Sequence, residues 1–238
     1  MNRPAFPFRW QRLPVALLLL VAGCGPQRDP ADLFPLERGR AWTYRMQTLN
    51  GPDFRRETLR IEALGPRELD GRTVWVRHTS DGTEYYLERD ARGLRRVAQR
   101  SVLDDLPRWD APERTVLPAA PAVGQHWSVP GRPYLLHRVR PVVEDLRQTR
   151  PFEFEYGIED TDATVEVPAG RFAHCVHVRG EASVYLVADP RFGPQDVPIT
   201  QDEWYCPGTG LVKLERREPI EAADVYGGSL TLELEAAR

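Results

Sequence analysis

The sequence lacks the motifs that identify most enzymes and nucleic-acid-binding proteins. It contains no Gly-x-Ser-x-Gly nucleophile elbow, no His-Glu-x-x-His zinc pair and no glycine-rich phosphate loop. Its only lysine is Lys213, and its arginines are scattered among acidic residues, so no basic stripe is present to neutralise phosphates. We therefore expect a protein that is not an enzyme, needs no cofactor and does not bind nucleic acid.

The sequence also lacks an apolar run long enough to cross a membrane, which takes about 20 residues. Its longest run, residues 13–23, follows three arginines and ends in the sequence VAGC at Cys24. A basic segment, a short apolar core and small residues before a cysteine are typical of a lipoprotein signal peptide. We expect residues 1–23 to be removed, Cys24 to carry the lipid, and residues 24–32 to form a polar tether.

The residues after the lipidated cysteine bear on localisation. Gly25 and Pro26 follow Cys24, and no aspartate stands there. In a cell with two membranes this pattern favours the outer one. We therefore expect an anchored protein of the cell envelope that faces the periplasm, with the membrane as its partner through the lipid.

Cysteine is scarce, since only Cys175 and Cys206 remain once Cys24 is assigned to the lipid. In an oxidising compartment we expect these two to form a disulfide, and two unpaired buried thiols are the alternative. His174 and His177 flank Cys175, but on a strand only His177 shares the face of that cysteine. A zinc site would need a further ligand that the sequence does not supply, so no metal is expected.

The 22 prolines exclude a helical bundle. Alternating apolar and polar residues, separated by turn residues, recur over residues 56–100 and from residue 152 to the C-terminus. This pattern predicts a mainly β protein in which residues 33–238 form a single curved antiparallel sheet or an open half-barrel. At most one or two short helices are expected, the best candidate being residues 140–147.

Two proline-rich segments, residues 102–123 and 189–200, are predicted to be loops. They would hold the site residues if the protein were a small hydrolase.

A short motif occurs twice, as Gly39-x-x-Trp42 and as Gly124-x-x-Trp127. It indicates either a weak duplication into two similar half-sheets or a coincidence, because the intervening strands do not obviously match. We treat residues 33–238 as one domain.

The large aromatic side chains allow two interpretations. Trp42, Trp75, Trp127 and Trp204 can line a groove for an apolar ligand, since aromatic walls suit such ligands. Packing in the core is the alternative, because aromatic side chains bury the most area per residue.

Three motifs resemble those of a large group of bacterial lipoproteins that have no assigned biochemical function. They are Phe34-Pro35-Leu36 leading to Tyr44, the stretch Val167–Phe172 followed by Cys175, and Trp204–Lys213. The resemblance spans most of residues 33–217. It implies an all-β domain akin to the open half-barrel of periplasmic lipoprotein carriers. The chain departs from the group at Cys206, where a small residue is common.

These observations favour a lipid-anchored, non-catalytic binding or structural module. Its partner would be a hydrophobic ligand or another envelope protein. A carrier that holds acyl chains in a half-barrel is one alternative, and a small envelope hydrolase is another. A continuous apolar cavity would favour the carrier, whereas converging polar groups with perturbed pKa values in a cleft would favour an enzyme.

Overall fold

The computed structural model describes residues 32–138, 152–189, 191, 193–222 and 224–238. In these residues the protein is all-β, as predicted, and no helix could span a membrane. The helix predicted at residues 140–147 lies outside the described residues. The strands are β1 (Ala41–Asn50), β2 (Asp53–Leu69), β3 (Arg72–Thr79), β4 (Glu84–Asp90), β5 (Gly93–Arg100), β6 (Arg108–Pro118), β7 (His126–Gly131), β8 (His137–Arg138), β9 (Phe152–Val167), β10 (Gly170–Asp189), β11 (Gly193–Cys206), β12 (Gly210–Glu221) and β13 (Val225–Ala237).

All of these strands belong to one antiparallel sheet. Their order is β6-β5-β4-β3-β2-β1-β13-β12-β11-β10-β9-β7, with the short β8 paired to β13. The sheet curls until its two edge strands, β6 and β7, approach each other. The single antiparallel sheet is thus confirmed, and it curves beyond a half-barrel into a nearly closed barrel with an unsealed seam.

The barrel consists of two successive meanders. β1 to β6 pair in sequence order, and β7 followed by β9 to β13 do the same. Each meander starts at one copy of the repeated motif, where Gly39 and Gly124 have φ values of 86° and 83°. Only glycine adopts such a conformation without strain, so the motif marks the turn into the first strand of each half.

The register identifies the inner face of the sheet. Residues directly opposite on paired strands share a face. Trp75 on β3 lies opposite Leu87 on β4, which lies opposite Arg96 on β5; from the other edge, Trp127 on β7 lies opposite Tyr156 on β9. Arg96, Trp127 and Tyr156 line the same cavity, so their common face is the inside of the barrel.

Residues 33–36 close one end of the barrel, and we call them the plug. Phe34 and Leu36 are buried in a cluster with interior side chains of β4, β5, β9 and β10. Arg77 of β3 donates to the carbonyl oxygen of Pro35 at 2.7 Å, and its guanidinium stacks over the ring of Phe34 at 3.6 Å. Burial lowers the pKa of Arg77 to about 10.

The opposite end is covered by residues 132–136. The backbone N–H groups of Tyr134, Leu135 and Leu136 donate to the buried carboxylate of Glu218 at 2.9–3.1 Å. Asn50, the last residue of β1, donates to the carbonyl oxygen of Leu135. The plug lies next to the start of β1, whereas residues 132–136 contact Asn50 at the end of β1. The two segments therefore lie at opposite ends of the barrel.

The prediction that residues 102–123 and 189–200 are loops is wrong for much of both segments. β6 runs through Pro112 and Pro118, and β11 runs through Pro194 and Pro198. Proline is tolerated at an edge, where its missing N–H costs no ladder hydrogen bond. β6 is an edge strand, and β11 pairs with β12 only from Thr200 onward.

Candidate functional site

A cavity of about 210 Å³ opens at the seam between β6 and β7. In the described part of the chain no backbone pairing joins these two strands. β6 is interrupted by a bulge, since Trp109 and Arg114 lie opposite Ala98 and Arg96, only two residues apart on β5. The cavity is lined by Arg96, Arg114, Thr115, Val116, Trp127, Val129, Tyr156, Glu203 and Tyr205.

Two arginines on the β6 side share one carboxylate. Arg96 donates to both oxygens of Asp110, at 2.7 and 3.0 Å. Arg114 approaches Oδ1 of Asp110 only to 3.7 Å and donates no hydrogen bond to any described residue. Burial, followed by the nearby positive charge of Arg96, lowers the pKa of Arg114. This wall of the cavity therefore carries one more positive charge than negative charge.

The opposite wall holds a buried acidic residue, Glu203 of β11. The hydroxyl of Tyr205 donates to its Oε2, and the side-chain amide of Gln201 donates to its Oε1. Burial raises the pKa of Glu203, so this carboxyl keeps a proton at pH values where an exposed glutamate has lost it. Burial also raises the pKa of Tyr205 well above its ordinary value.

Aromatic rings form the floor of the cavity. The rings of Trp127 and Tyr156 stack with centroids 5.7 Å apart and an interplanar angle of 14°. The Tyr156 hydroxyl accepts a hydrogen bond from Gln201 at 3.1 Å. The indole Nε1–H of Trp127 is buried and has no acceptor among the described residues. An unsatisfied buried donor is costly, so it marks a place where an acceptor is missing.

The lining combines charged, hydroxyl, aromatic and aliphatic side chains. Nucleophilic catalysis needs a nucleophile within hydrogen-bond reach of a base. The hydroxyl group of Thr115 has no histidine, lysine or cysteine beside it in the lining, and both oxygens of Glu203 already accept hydrogen bonds. The site can hold a ligand with an apolar part and an acceptor part.

The structure does not bring the four predicted groove tryptophans together. Trp42 is buried in the core, and its Nε1–H donates to the carbonyl oxygen of Thr209 at 2.7 Å. Trp75 packs against the cluster that contains the plug. Trp204 lies on the outer face, stacked on His177 with ring centroids 4.6 Å apart. Of the four, Trp127 alone lines the seam cavity.

Cys175 and Cys206 form a disulfide between β10 and β11, with Cα atoms 4.2 Å apart. Both are buried in the cluster that contains Trp42. His177 contacts Asp202 at 2.9 Å, whereas the exposed His174 contacts Asp162 at 2.6 Å. In the described residues no three metal-ligating side chains converge. Cys24, the predicted lipidation site, lies outside the described residues.

Sequence reasoning missed most of the cavity. Arg96, Arg114, Tyr156 and Glu203 lie on four different strands and meet only when the sheet curls. The sequence groups Trp127 with Trp42, Trp75 and Trp204, but those three do not line this cavity. The available signal was the proline-rich composition of residues 102–123, because prolines weaken strand pairing and this segment borders the seam.

Comparison with known proteins adds little beyond the fold. No model of a known protein family matches the chain, and no curated protein resembles it significantly. Among solved structures, the chain is similar to a candidate lipoprotein from Parabacteroides distasonis, at 15% identity and a TM-score of 0.41, over 88% of this chain and all of the other. It is also similar to a candidate exported protein with a YmcC-like fold from Bacteroides fragilis, at 16% identity and a TM-score of 0.38, over 86% of this chain and 98% of the other. With both TM-scores below 0.5, neither likeness carries an inference about this chain.

Proposed function

We propose that this protein is a lipid-anchored envelope protein that binds a small ligand in the seam cavity and catalyses no reaction on it. The observation that carries the proposal is the position of the cavity. Both ends of the barrel are covered, by the plug and by residues 132–136, while the side of the barrel is unsealed between β6 and β7. A lateral opening lined by aromatic and charged side chains suits ligand binding.

Anchorage and export are supported by the sequence. The segment 1–23 has the order of a lipoprotein signal, and Cys24 stands at the cleavage site. A disulfide such as Cys175–Cys206 is typical of proteins in oxidising compartments. The proposed location is the outer membrane, facing the periplasm.

The anchor is tested with Cys24→Ser. We expect the variant to fold but to leave the membrane fraction, because no thiol remains to receive the lipid. Quantitative blotting of membrane and soluble fractions measures this. A variant that stays in the membrane fraction would contradict the anchor.

The carrier alternative receives less support. It requires a continuous apolar cavity, but in the described part of the chain the interior is occupied by buried side chains of the plug and the strands. An engineered apolar cavity of about 150 Å³ holds benzene, so about 210 Å³ suits a ligand little larger than one ring. A small ligand is therefore favoured over an acyl chain.

Native mass spectrometry of the lipidated protein from its own envelope tests the binding function. We expect wild type to carry a bound small molecule and Val116→Phe, which fills the cavity, to have lost it. Val102→Phe makes the same change at an exposed position and should keep the occupant. Thermal unfolding of both variants checks that they fold. Wild type without an occupant, or Val116→Phe with undiminished occupancy, would contradict the proposal.

A further inference from the structure

Two side chains at the seam carry hydrogen-bond donors that have no acceptor among the described residues. The indole Nε1–H of Trp127 is buried without an acceptor there, and the guanidinium of Arg114 donates no hydrogen bond to any of these residues. Both side chains line the cavity. A group that only accepts hydrogen bonds would complete them, and a carboxylate is such a group.

The charges of the cavity favour the same conclusion. Asp110 is engaged by Arg96 through both of its oxygens, so it compensates Arg114 only weakly at 3.7 Å. The side chain of Arg114 is about one-third exposed, with an accessibility of 32%. An anion placed beside it would form a charge-assisted hydrogen bond, which is about twice as strong as a neutral one.

One acidic residue, Glu203, lines the cavity. Glu203 accepts hydrogen bonds from Tyr205 and Gln201, and its burial favours the protonated form. Arg216 lies on the same side, where it donates to Gln201 Oε1 at 3.0 Å and to Glu218 at 2.7 Å. On the β6 side, Arg96 and Arg114 face the single carboxylate of Asp110, so the positive charge beside Arg114 is only partly compensated.

Apart from Thr115, the remaining lining is aliphatic and aromatic. Val116 and Val129 flank the stacked rings of Trp127 and Tyr156. A bare inorganic anion such as phosphate would leave these surfaces uncovered. A ring or short aliphatic body attached to a carboxylate would cover them and fits about 210 Å³.

From these observations we infer that the seam cavity binds a small carboxylate with an apolar body, held by Arg114 and by the indole N–H of Trp127. The inference rests on the proposed binding function and names its ligand class. The same chemistry occurs in a free aromatic or aliphatic acid and at the C-terminus of a peptide that ends in an apolar residue.

Isothermal titration calorimetry of the lipidated protein in detergent tests the inference with phenylacetate and with its neutral analogue phenylacetamide. We expect phenylacetate to bind at least about tenfold more tightly, since one factor of ten corresponds to a single charge-assisted contact. N-acetylphenylalanine and its amide distinguish a peptide C-terminus from a free acid. Tighter binding of N-acetylphenylalanine than of phenylacetate would indicate the peptide source.

Two variants assign the contacts. Arg114→Gln should weaken phenylacetate binding about tenfold or more, and Trp127→Phe, which keeps a ring but removes the donor, about threefold to tenfold. Arg108→Gln is the matched control, because Arg108 is on the same strand with an exposed side chain that pairs with Asp104. This control should leave the affinity unchanged within about twofold, as expected for an exposed charge.

The outcomes separate this inference from the proposed function. If phenylacetamide binds as well as phenylacetate, or if Arg114→Gln leaves the affinity unchanged, the carboxylate assignment is wrong. The proposed binding function would still hold if native mass spectrometry detected a neutral bound molecule and Val116→Phe displaced it. If wild type has no occupant and neither acid binds, both are wrong.

Discussion

The two halves of the barrel meet at two junctions, and these junctions differ. At the first, β1 pairs with β13 from Trp42 opposite Ala237 to Asn50 opposite Gly228. At the second, β6 and β7 approach each other without pairing. Each junction contains the tryptophan of one repeated Gly-x-x-Trp motif. Trp42 lies at the paired junction and Trp127 at the unpaired one, so the two side chains can be compared directly.

The two tryptophans show the consequence of sealing. Trp42 is 1% exposed, donates to Thr209, and lies beneath the guanidinium of Arg77 at 4.2 Å. Trp127 lines a cavity, and its indole N–H has no acceptor among the described residues. The indole N–H at the sealed junction is therefore satisfied within the protein, whereas the one at the unsealed junction is left without an acceptor among the described residues.

The largest expected effect is a difference in stability between variants of the two junction tryptophans. Trp42→Ala should lower the free energy of unfolding by about 3–5 kcal/mol, because it leaves a cavity in the packed core. Trp127→Ala should cost less than half as much, since its side chain already borders a cavity. Denaturant unfolding of both variants measures the difference. Equal losses would show that the seam is as tightly packed as the sealed junction.

The disulfide should stabilise the sealed side. Cys175 and Cys206 are 31 residues apart and share a core cluster with Trp42 and Leu234. Replacing both by alanine should cost about 3–4 kcal/mol in the chain-entropy model, and reduction of the wild type should cause a similar loss. Denaturant unfolding with and without reductant checks this. Two alkylated thiols in the intact mass of the non-reduced protein would show that the bond is absent.

A smaller expected effect is the pH dependence of stability that Glu203, at the unsealed junction, should cause. Burial raises the pKa of Glu203 in the folded state above its ordinary value of 4.5. The folded state then binds the proton more tightly than the unfolded state does, so stability falls as pH rises from about 4.5 towards the folded pKa. Glu203→Gln should abolish this fall in stability, because glutamine has no carboxyl group to titrate. Its stability relative to wild type should increase by up to about 1.4 kcal/mol per pH unit in that range. A difference that does not change with pH would contradict the assignment.

The smallest effect concerns Arg114. Its ion pair with Asp110 is long, so Arg114→Gln should change the free energy of unfolding by no more than about 1 kcal/mol. The same variant should lose more free energy of phenylacetate binding than free energy of unfolding, since the affinity should fall about tenfold or more. A loss of stability as large as that of Trp42→Ala would show that Arg114 holds the seam together and does not serve a ligand.

Local patterns in the sequence predicted much of the sheet. The alternation over residues 72–79 matches β3, and the Asp70-Gly71 and Asp81-Gly82 turns connect strands as expected. Leu230, Leu232 and Leu234 are buried on β13, as their shared face predicts. These features depend only on residues close together in the sequence, so they can be predicted without knowing the fold.

The rest depends on contacts between distant residues. The prolines of β6 and β11 suggested loops because the sequence of one chain does not show that β6 is an edge strand or that β11 is unpaired with β12 before Thr200. Phe34 and Leu36 resembled the lead-in to a strand, yet they form a plug because Arg77 and interior side chains of other strands receive them. The cavity joins Arg96, Trp127 and Glu203, and nothing local to any of them signals the others.

The most direct test compares the indole N–H resonances of Trp42 and Trp127 in ¹H–¹⁵N spectra of the folded protein during a titration with phenylacetate. The Trp127 resonance should shift with saturation, because its donor gains an acceptor, while the Trp42 resonance stays in place because Thr209 already accepts its proton. Each resonance is assigned by its loss in the corresponding Trp→Phe variant. A Trp127 resonance that does not move at saturating phenylacetate, or one that moves together with that of Trp42, would contradict the seam as the binding site.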